Sequence, residues 1–123
     1  MKKKILIFGI SGQDGSLLAE YLINKNIEIY GLLRKSSNRN YNNLKNFFKR
    51  KNFKIINGDI LDIFSIERAI RQIKPDEIYN FADQDHVRWS YQIPSYSFDV
   101  TASSVLKILE TIKNVNPKIK YFQ

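Results

Sequence analysis

Gly9-Ile10-Ser11-Gly12-Gln13-Asp14-Gly15 joins an apolar run, Lys4-Ile5-Leu6-Ile7-Phe8, to a segment where Leu17, Leu18, Tyr21 and Leu22 recur at helical spacing. The run is too continuous for a half-exposed strand and too short for a free helix, so it reads as a central parallel strand. Three glycines at intervals of three let the chain turn sharply out of that strand. They also let backbone N–H groups approach a diphosphate with no side chain in the way. The helix behind them points its positive end at the same place, and Tyr21 is expected in its core stripe. Strand, glycine turn and helix together read as a phosphate cradle.

The rest of the chain repeats the alternation. Asn26 to Leu33 has the β-branched content of a second strand, and Phe53 to Asn57 reads as a third. Tyr41 to Lys51 is expected to be a helix, although a poor one because of its asparagines. Asp62 is placed to cap a helix whose stripe is Ile63, Ile66, Ile70 and Ile73, stopped by Pro75. Asp76 to Ala82 reads as a fourth strand and Asp83 to Ser90 as the loop after it. Pro94 and Ser95 open a helix that carries Val105, Ile108, Leu109 and Ile112 as far as Asn116, and Ile119 to Phe122 reads as a fifth strand. The expectation is an α/β fold, a doubly wound parallel sheet of the Rossmann kind ordered 3-2-1-4-5, with residues 1–123 forming one domain cut off after the fifth strand. The edge at Ile119 to Phe122 is then an aggregation liability.

Composition narrows the function. The chain has 123 residues, 43% of them hydrophobic, enough for one core of the soluble globular kind. No apolar run approaches the length that spans a bilayer, and Lys2 to Lys4 leads straight into a strand rather than a signal-peptide core, so a cytoplasmic location is expected. With no cysteine and one histidine, a metal site is not expected. His86, alone in a polar loop, reads as a hydrogen-bonded scaffold residue before it reads as a proton-transfer group. The whole +8 excess lies between Arg34 and Lys54, where eight basic residues meet no acidic one. That block reads first as a solvated surface; with Tyr41, Phe47, Phe48 and Phe53 it could also bind nucleic acid.

The cofactor is also addressed by position. About twenty residues past the glycine turn, a dinucleotide fold meets the adenosine ribose, where an acid favours NAD and an arginine accommodates the 2'-phosphate of NADP. Here Arg34, Lys35, Ser36 and Ser37 follow the second strand with no carboxylate among them, so NADP is expected. After the third strand, Asp59 could cap the next turn or accept the amino group of an adenine.

Several stretches together resemble the GDP-mannose 4,6-dehydratase family of extended short-chain dehydrogenase/reductases. They are Gly9 to Ser16 with its Gly-Gln-Asp-Gly core, Arg34 to Ser37, Gly58 to Ile60, Pro75 to Asn80 and Ser90 to Tyr96. The resemblance covers essentially this whole chain but only the amino-terminal third of such an enzyme. It implies an NADP-dependent lyase that forms GDP-4-keto-6-deoxymannose from GDP-mannose, working as a homo-oligomer in which part of the basic block after the second strand would serve the subunit contact. Carried over by motif, Gly9, Ile10, Ser11, Gly12, Gln13, Asp14 and Gly15 would wrap the diphosphate, and Arg34 to Ser37 would hold the ribose phosphate. Asp59 and Ile60 would flank the adenine, Phe81, Ala82, Asp83, Gln84 and Asp85 would line the inner cofactor half, and Tyr96 would add a contact. The family's catalytic Ser/Thr, Glu and Tyr-x-x-x-Lys come after the fifth strand, so this chain alone is expected to be inactive. Tyr21 with Lys25 and Tyr41 with Lys45 match the last pattern only by spacing and cannot reach a nicotinamide.

Two other readings stay open on sequence grounds. One keeps the fold but changes the sugar, as in related epimerases, dehydratases and reductases; the other is a stand-alone nucleotide- or RNA-binding module. The family pattern Leu-Ala-Ala-Gln-Ser-His-Val after strand four appears here as Phe81-Ala82-Asp83-Gln84-Asp85-His86-Val87, and its two extra carboxylates raise the cost of an anion nearby.

Overall fold

The computed structural model describes residues 1–36 and 41–123. Its five strands are β1 (Lys3–Phe8), β2 (Ile27–Leu33), β3 (Phe53–Asn57), β4 (Glu77–Asn80) and β5 (Lys120–Phe122), in the order β3-β2-β1-β4-β5. Every pairing is parallel, with Ile7 opposite Gly31 on one side and Tyr79 on the other. The helices are α1 (Gln13–Leu22), α2 (Ile63–Ile73), α3 (Val87–Gln92), α4 (Pro94–Phe98) and α5 (Ser104–Val115). This is the doubly wound order expected from the apolar runs.

β1 explains why. Ile5, Leu6, Ile7 and Phe8 are all essentially inaccessible, because the pleat sends alternate residues into two separate cores. Ile5 and Ile7 pack with Ala19, Leu22 and Ile29, whereas Leu6 and Phe8 pack with Ile66, Ile70, Ile78 and Ile108. A strand buried on both faces has no polar side to show, hence its unbroken hydrophobicity.

Four expectations need correction. The segment from Tyr41 to Lys51 is not an α-helix but a 3-10 turn at Asn42–Leu44 followed by further turns. Its amides bond three residues back, Leu44 to Tyr41, Phe47 to Leu44 and Arg50 to Phe47, at 2.8–2.9 Å. That spacing buries Leu44 and Phe47 together, while the Asn43 side chain donates instead to the Ser11 carbonyl at 3.1 Å. Second, Leu17 and Tyr21 are exposed; α1 buries Gly15, Ser16, Ala19 and Leu22, because the close approach of Gly15 to the glycine turn sets which side faces the sheet. Lys25 lies over the Tyr21 ring, 3.6 Å from its centroid. Third, the stretch after β4 is loop only as far as His86, and α3 begins at Val87. Fourth, the next helix is interrupted, α4 passing into a π-turn at Asp99–Ser103 before α5.

α2 matches its sequence closely. The Asp62 carboxylate accepts from the Phe64 amide at 3.1 Å, Ile66, Ala69, Ile70 and Ile73 are buried, and Lys74 ends the helix with φ +52° before Pro75. Ile63, in the first turn, stays exposed.

Three tyrosines tie stability to alkaline pH. Burial pushes the hydroxyls of Tyr30, Tyr79 and Tyr121 above their ordinary value of 10.0, helped at Tyr30 by its bond to Glu28 and at Tyr79 by the Glu77 charge. A raised folded pKa means full stability below the unfolded value and loss as pH rises through the folded one. Thermal melts are therefore expected to hold on approaching pH 10 and to fall above it, less steeply in Tyr121→Phe. Equal alkaline slopes for the variant and the parent would show that Tyr121 contributes nothing to this loss.

Candidate functional site

The glycine turn is built by contact rather than by flexibility. Gly9 has φ +74°, and a Cβ there would sit 2.6 Å from the Phe81 carbonyl carbon and 2.7 Å from the Ala82 nitrogen. A Cβ on Gly15 would sit 2.4 Å from the Gly9 carbonyl oxygen. Gly12 differs: its nearest obstacle is that same oxygen at 3.3 Å, its amide donates to it at 3.1 Å, and it caps α1 without a side chain. Thus two glycines hold the turn against its surroundings, and the third leaves the helix start open to solvent.

This turn lies where the sheet order switches, at the carboxyl end of β1 between β2 and β4. A cleft of about 310 Å³ opens there. Gly9, Ser11 and Gly12 line it from the turn, Arg34 from the end of β2, and Asp59 and Ile60 from the end of β3. Phe81 and Ala82 close it after β4, and Tyr96 of α4 reaches over from the far side. The guanidinium of Arg34 donates through Nη1 to the Tyr96 hydroxyl at 3.2 Å, bridging the exits of β2 and α4. Four strand ends and one helix therefore converge on a single concavity.

The other sequence-predicted residues lie elsewhere. Ile10 is fully buried beneath the turn, where a Cβ on Gly31 would strike it, and Gly15 is buried against Gly9. Gln13 and Asp14 stand exposed on the first turn of α1. Lys35 lines a neighbouring cleft, Ser36 is exposed and lines neither, and Ser37 lies outside the described residues. Asp85 is exposed on the loop. Gln84 faces the protein: its Nε2 donates to the Ser97 hydroxyl at 2.8 Å and its Oε1 accepts from the His86 amide at 2.8 Å. It shapes the approach to α3 instead of lining the cleft. His86 caps α3 with no side-chain bond to it, its ring 5.9 Å from that of Trp89.

Some wall residues carry no sequence signal. Leu61 and Val100 line the cleft only because the turn leading into α2 and the π-turn pass it. Asp83, by contrast, is expected from the family pattern and does line it; its Oδ1 accepts from the Gln84 amide and from the Thr101 hydroxyl, so this carboxylate is engaged by the protein. Ser65 is a hidden support. Nearly inaccessible, it accepts from the Asp59 amide at 2.9 Å and lies within donating distance of the Asp59 and Asp62 carbonyls, fastening the β3 exit to α2. Among the described residues no three His, Cys, Asp or Glu side chains gather as a metal site, and no helix is long and apolar enough to cross a membrane.

A parallel sheet in this order, with a glycine turn and helix start at its switch point, defines the Rossmann class of nucleotide-binding folds. The sequence profile of GDP-mannose 4,6 dehydratase matches residues 6–123, and the chain belongs to that family. GDP-mannose 4,6 dehydratase 1 of Arabidopsis thaliana is 41% identical over 99% of this chain and 37% of its own length. The GDP-mannose 4,6-dehydratase of Vibrio cholerae serotype O1 is 40% identical over 99% of this chain and 35% of its own. The chain thus spans little more than a third of these relatives. Among solved structures, dTDP-glucose 4,6-dehydratase from Bacillus anthracis in complex with NAD superimposes with a TM-score of 0.79 at 25% identity, over 97% of this chain and 36% of that one.

Proposed function

We propose that this chain is the NADP-binding portion of a GDP-mannose 4,6-dehydratase. The observation that carries the cofactor choice is Arg34, which stands on the cleft wall at the end of β2, where a dinucleotide fold meets the adenosine ribose. The residues present fit such a group. Gly9 leaves no room for a side chain between the turn and Phe81, Gly12 leaves the start of α1 open toward an anion, and the cleft is apolar at its base through Phe8 and Leu32. In this reading Gly9, Ser11 and Gly12 hold the diphosphate, Arg34 holds the 2'-phosphate, Asp59 and Ile60 flank the adenine, and Tyr96 closes over it. A nicotinamide dinucleotide supplies reversible hydride transfer when bound.

The substrate reading, GDP-mannose, rests on the family and on the two relatives named above. The same reading implies a lyase that works in the cytoplasm as a homo-oligomer. It assigns no catalytic role to Tyr21, at the far end of α1 from the cleft, or to Lys25, just beyond that helix; the two are engaged with each other. Nucleic acid is the less favoured partner, because Phe47 and Phe53 of the basic segment are buried in the core and only Phe48 of its aromatics is exposed, too few rings for a stacking platform. Calorimetric titration of the chain with NADPH and, separately, NADH tests the reading. NADPH is expected to bind at least about tenfold more tightly, the worth of one charge-assisted hydrogen bond to the extra phosphate. Equal affinities, or tighter NADH, would overturn the NADP assignment.

A further inference from the structure

A second cleft, of about 340 Å³, adjoins the first and shares Arg34, Gly58 and Asp59 with it. Its cations are Arg34, Lys35 and Arg68, the last contributed by α2. Two carboxylates, Asp59 and Asp62, also line it, each with one oxygen already taken by a backbone amide, Leu61 at 2.9 Å and Phe64 at 3.1 Å. Among the described residues no ion pair engages Arg68 or Lys35. The contrast within α2 is informative. Arg71, one turn on, is paired with Glu67 at 2.7 Å, whereas Arg68 has no acid three or four residues away on its own helix, its neighbours there being Phe64, Ser65, Arg71 and Gln72.

The helix that carries Arg68 is held in place. Ser65, one turn before it, ties the start of α2 to the β3 exit, and the buried Ile66 and Ala69 on either side fix the rotation of the helix. A guanidinium on a rigid helix therefore faces, across one cleft, the basic pair at the end of β2. A phosphate monoester carries between one and two negative charges at neutral pH, more than a single guanidinium neutralises. We propose that Arg68 is a specificity-determining residue that joins Arg34 and Lys35 in holding the 2'-phosphate of NADP. This rests on the cofactor reading above and extends it to a residue on a different element.

The test compares Arg68→Ala and Arg68→Lys with the parent chain, by calorimetric titration with NADPH and with NADH. Arg68→Ala is expected to weaken NADPH by about ten- to a hundredfold, the range for one hydrogen bond to a charged group, and to leave NADH within about twofold. Arg68→Lys should recover part of the loss, since it keeps the charge but not the fork. Unchanged circular dichroism melts are expected, because the side chain is exposed. A parent chain that does not prefer NADPH would overturn the cofactor reading and this inference together. A parent that prefers NADPH, with a ratio that Arg68→Ala leaves intact or with both nucleotides weakened equally, would overturn the role of Arg68 alone.

Discussion

Gly9→Ala is expected to destabilise the fold by about 2–5 kcal/mol and to abolish nucleotide binding. Two costs add. The residue sits at φ +74°, where an L side chain costs about 1–3 kcal/mol, and the new methyl would meet the Phe81 carbonyl at 2.6 Å. The obstacle is backbone that leads directly out of β4, so no side chain can rotate away. Phe81 is itself anchored, its amide donating to the Phe8 carbonyl at 3.0 Å and its ring stacked near Tyr79 at 6.4 Å between centroids. Relief would require separating β1 from β4 at the point where the cleft opens. A melting temperature lower by roughly 10 °C or more is expected by circular dichroism. Gly12→Ala is the control: with φ −74° and a single neighbour at 3.3 Å, it should cost no more than about 1 kcal/mol. If Gly9→Ala melted within a few degrees of Gly12→Ala, the turn would not be held as described.

The same geometry shows which features a linear reading can find. Strand order was legible because β1 is buried on both faces and betrays itself as an unbroken apolar run, and parallel crossovers leave few ways to arrange the remaining strands. The convergence of Gly9, Arg34, Asp59 and Phe81 is then a consequence of topology, since each lies just past the end of a strand. Side-chain direction was less legible. Leu17 and Tyr21 have the right spacing for a core stripe, but Gly15 must touch Gly9, and that contact rotates α1 so that Ala19 and Leu22 face inward. Gln84 sits in the expected loop, yet its amide satisfies the serines and backbone around α3 rather than the cleft. Between Tyr41 and Lys51 the asparagines that made a helix poor in the sequence leave only short 3-10 turns, and Asn43 donates to the Ser11 carbonyl. Arg68 gave no signal, because a lone arginine on a helix acquires meaning only when a second element brings cations opposite it.

Arg34→Asp is expected to reverse the nucleotide preference. Removing the guanidinium loses about 1.5–3 kcal/mol of charged hydrogen bonding to a 2'-phosphate, and placing a carboxylate there adds like-charge repulsion, so NADPH should weaken by at least about a hundredfold. NADH should hold or gain, because a carboxylate at that place can accept from both ribose hydroxyls. The substitution also removes the 3.2 Å bond to the Tyr96 hydroxyl, so a second variant separates the two effects. Tyr96→Phe keeps the charge and loses only the bridge; it should leave NADPH ahead of NADH while weakening both modestly. Arg34 and Tyr96 are exposed enough that neither change should move the melting temperature by more than about 1 kcal/mol in equivalent stability. Titrations of both variants with both nucleotides decide the matter. Parallel losses for NADPH and NADH in Arg34→Asp would mean that Arg34 only shapes the cleft wall; a crossed pattern would mean that its charge reads the ribose phosphate.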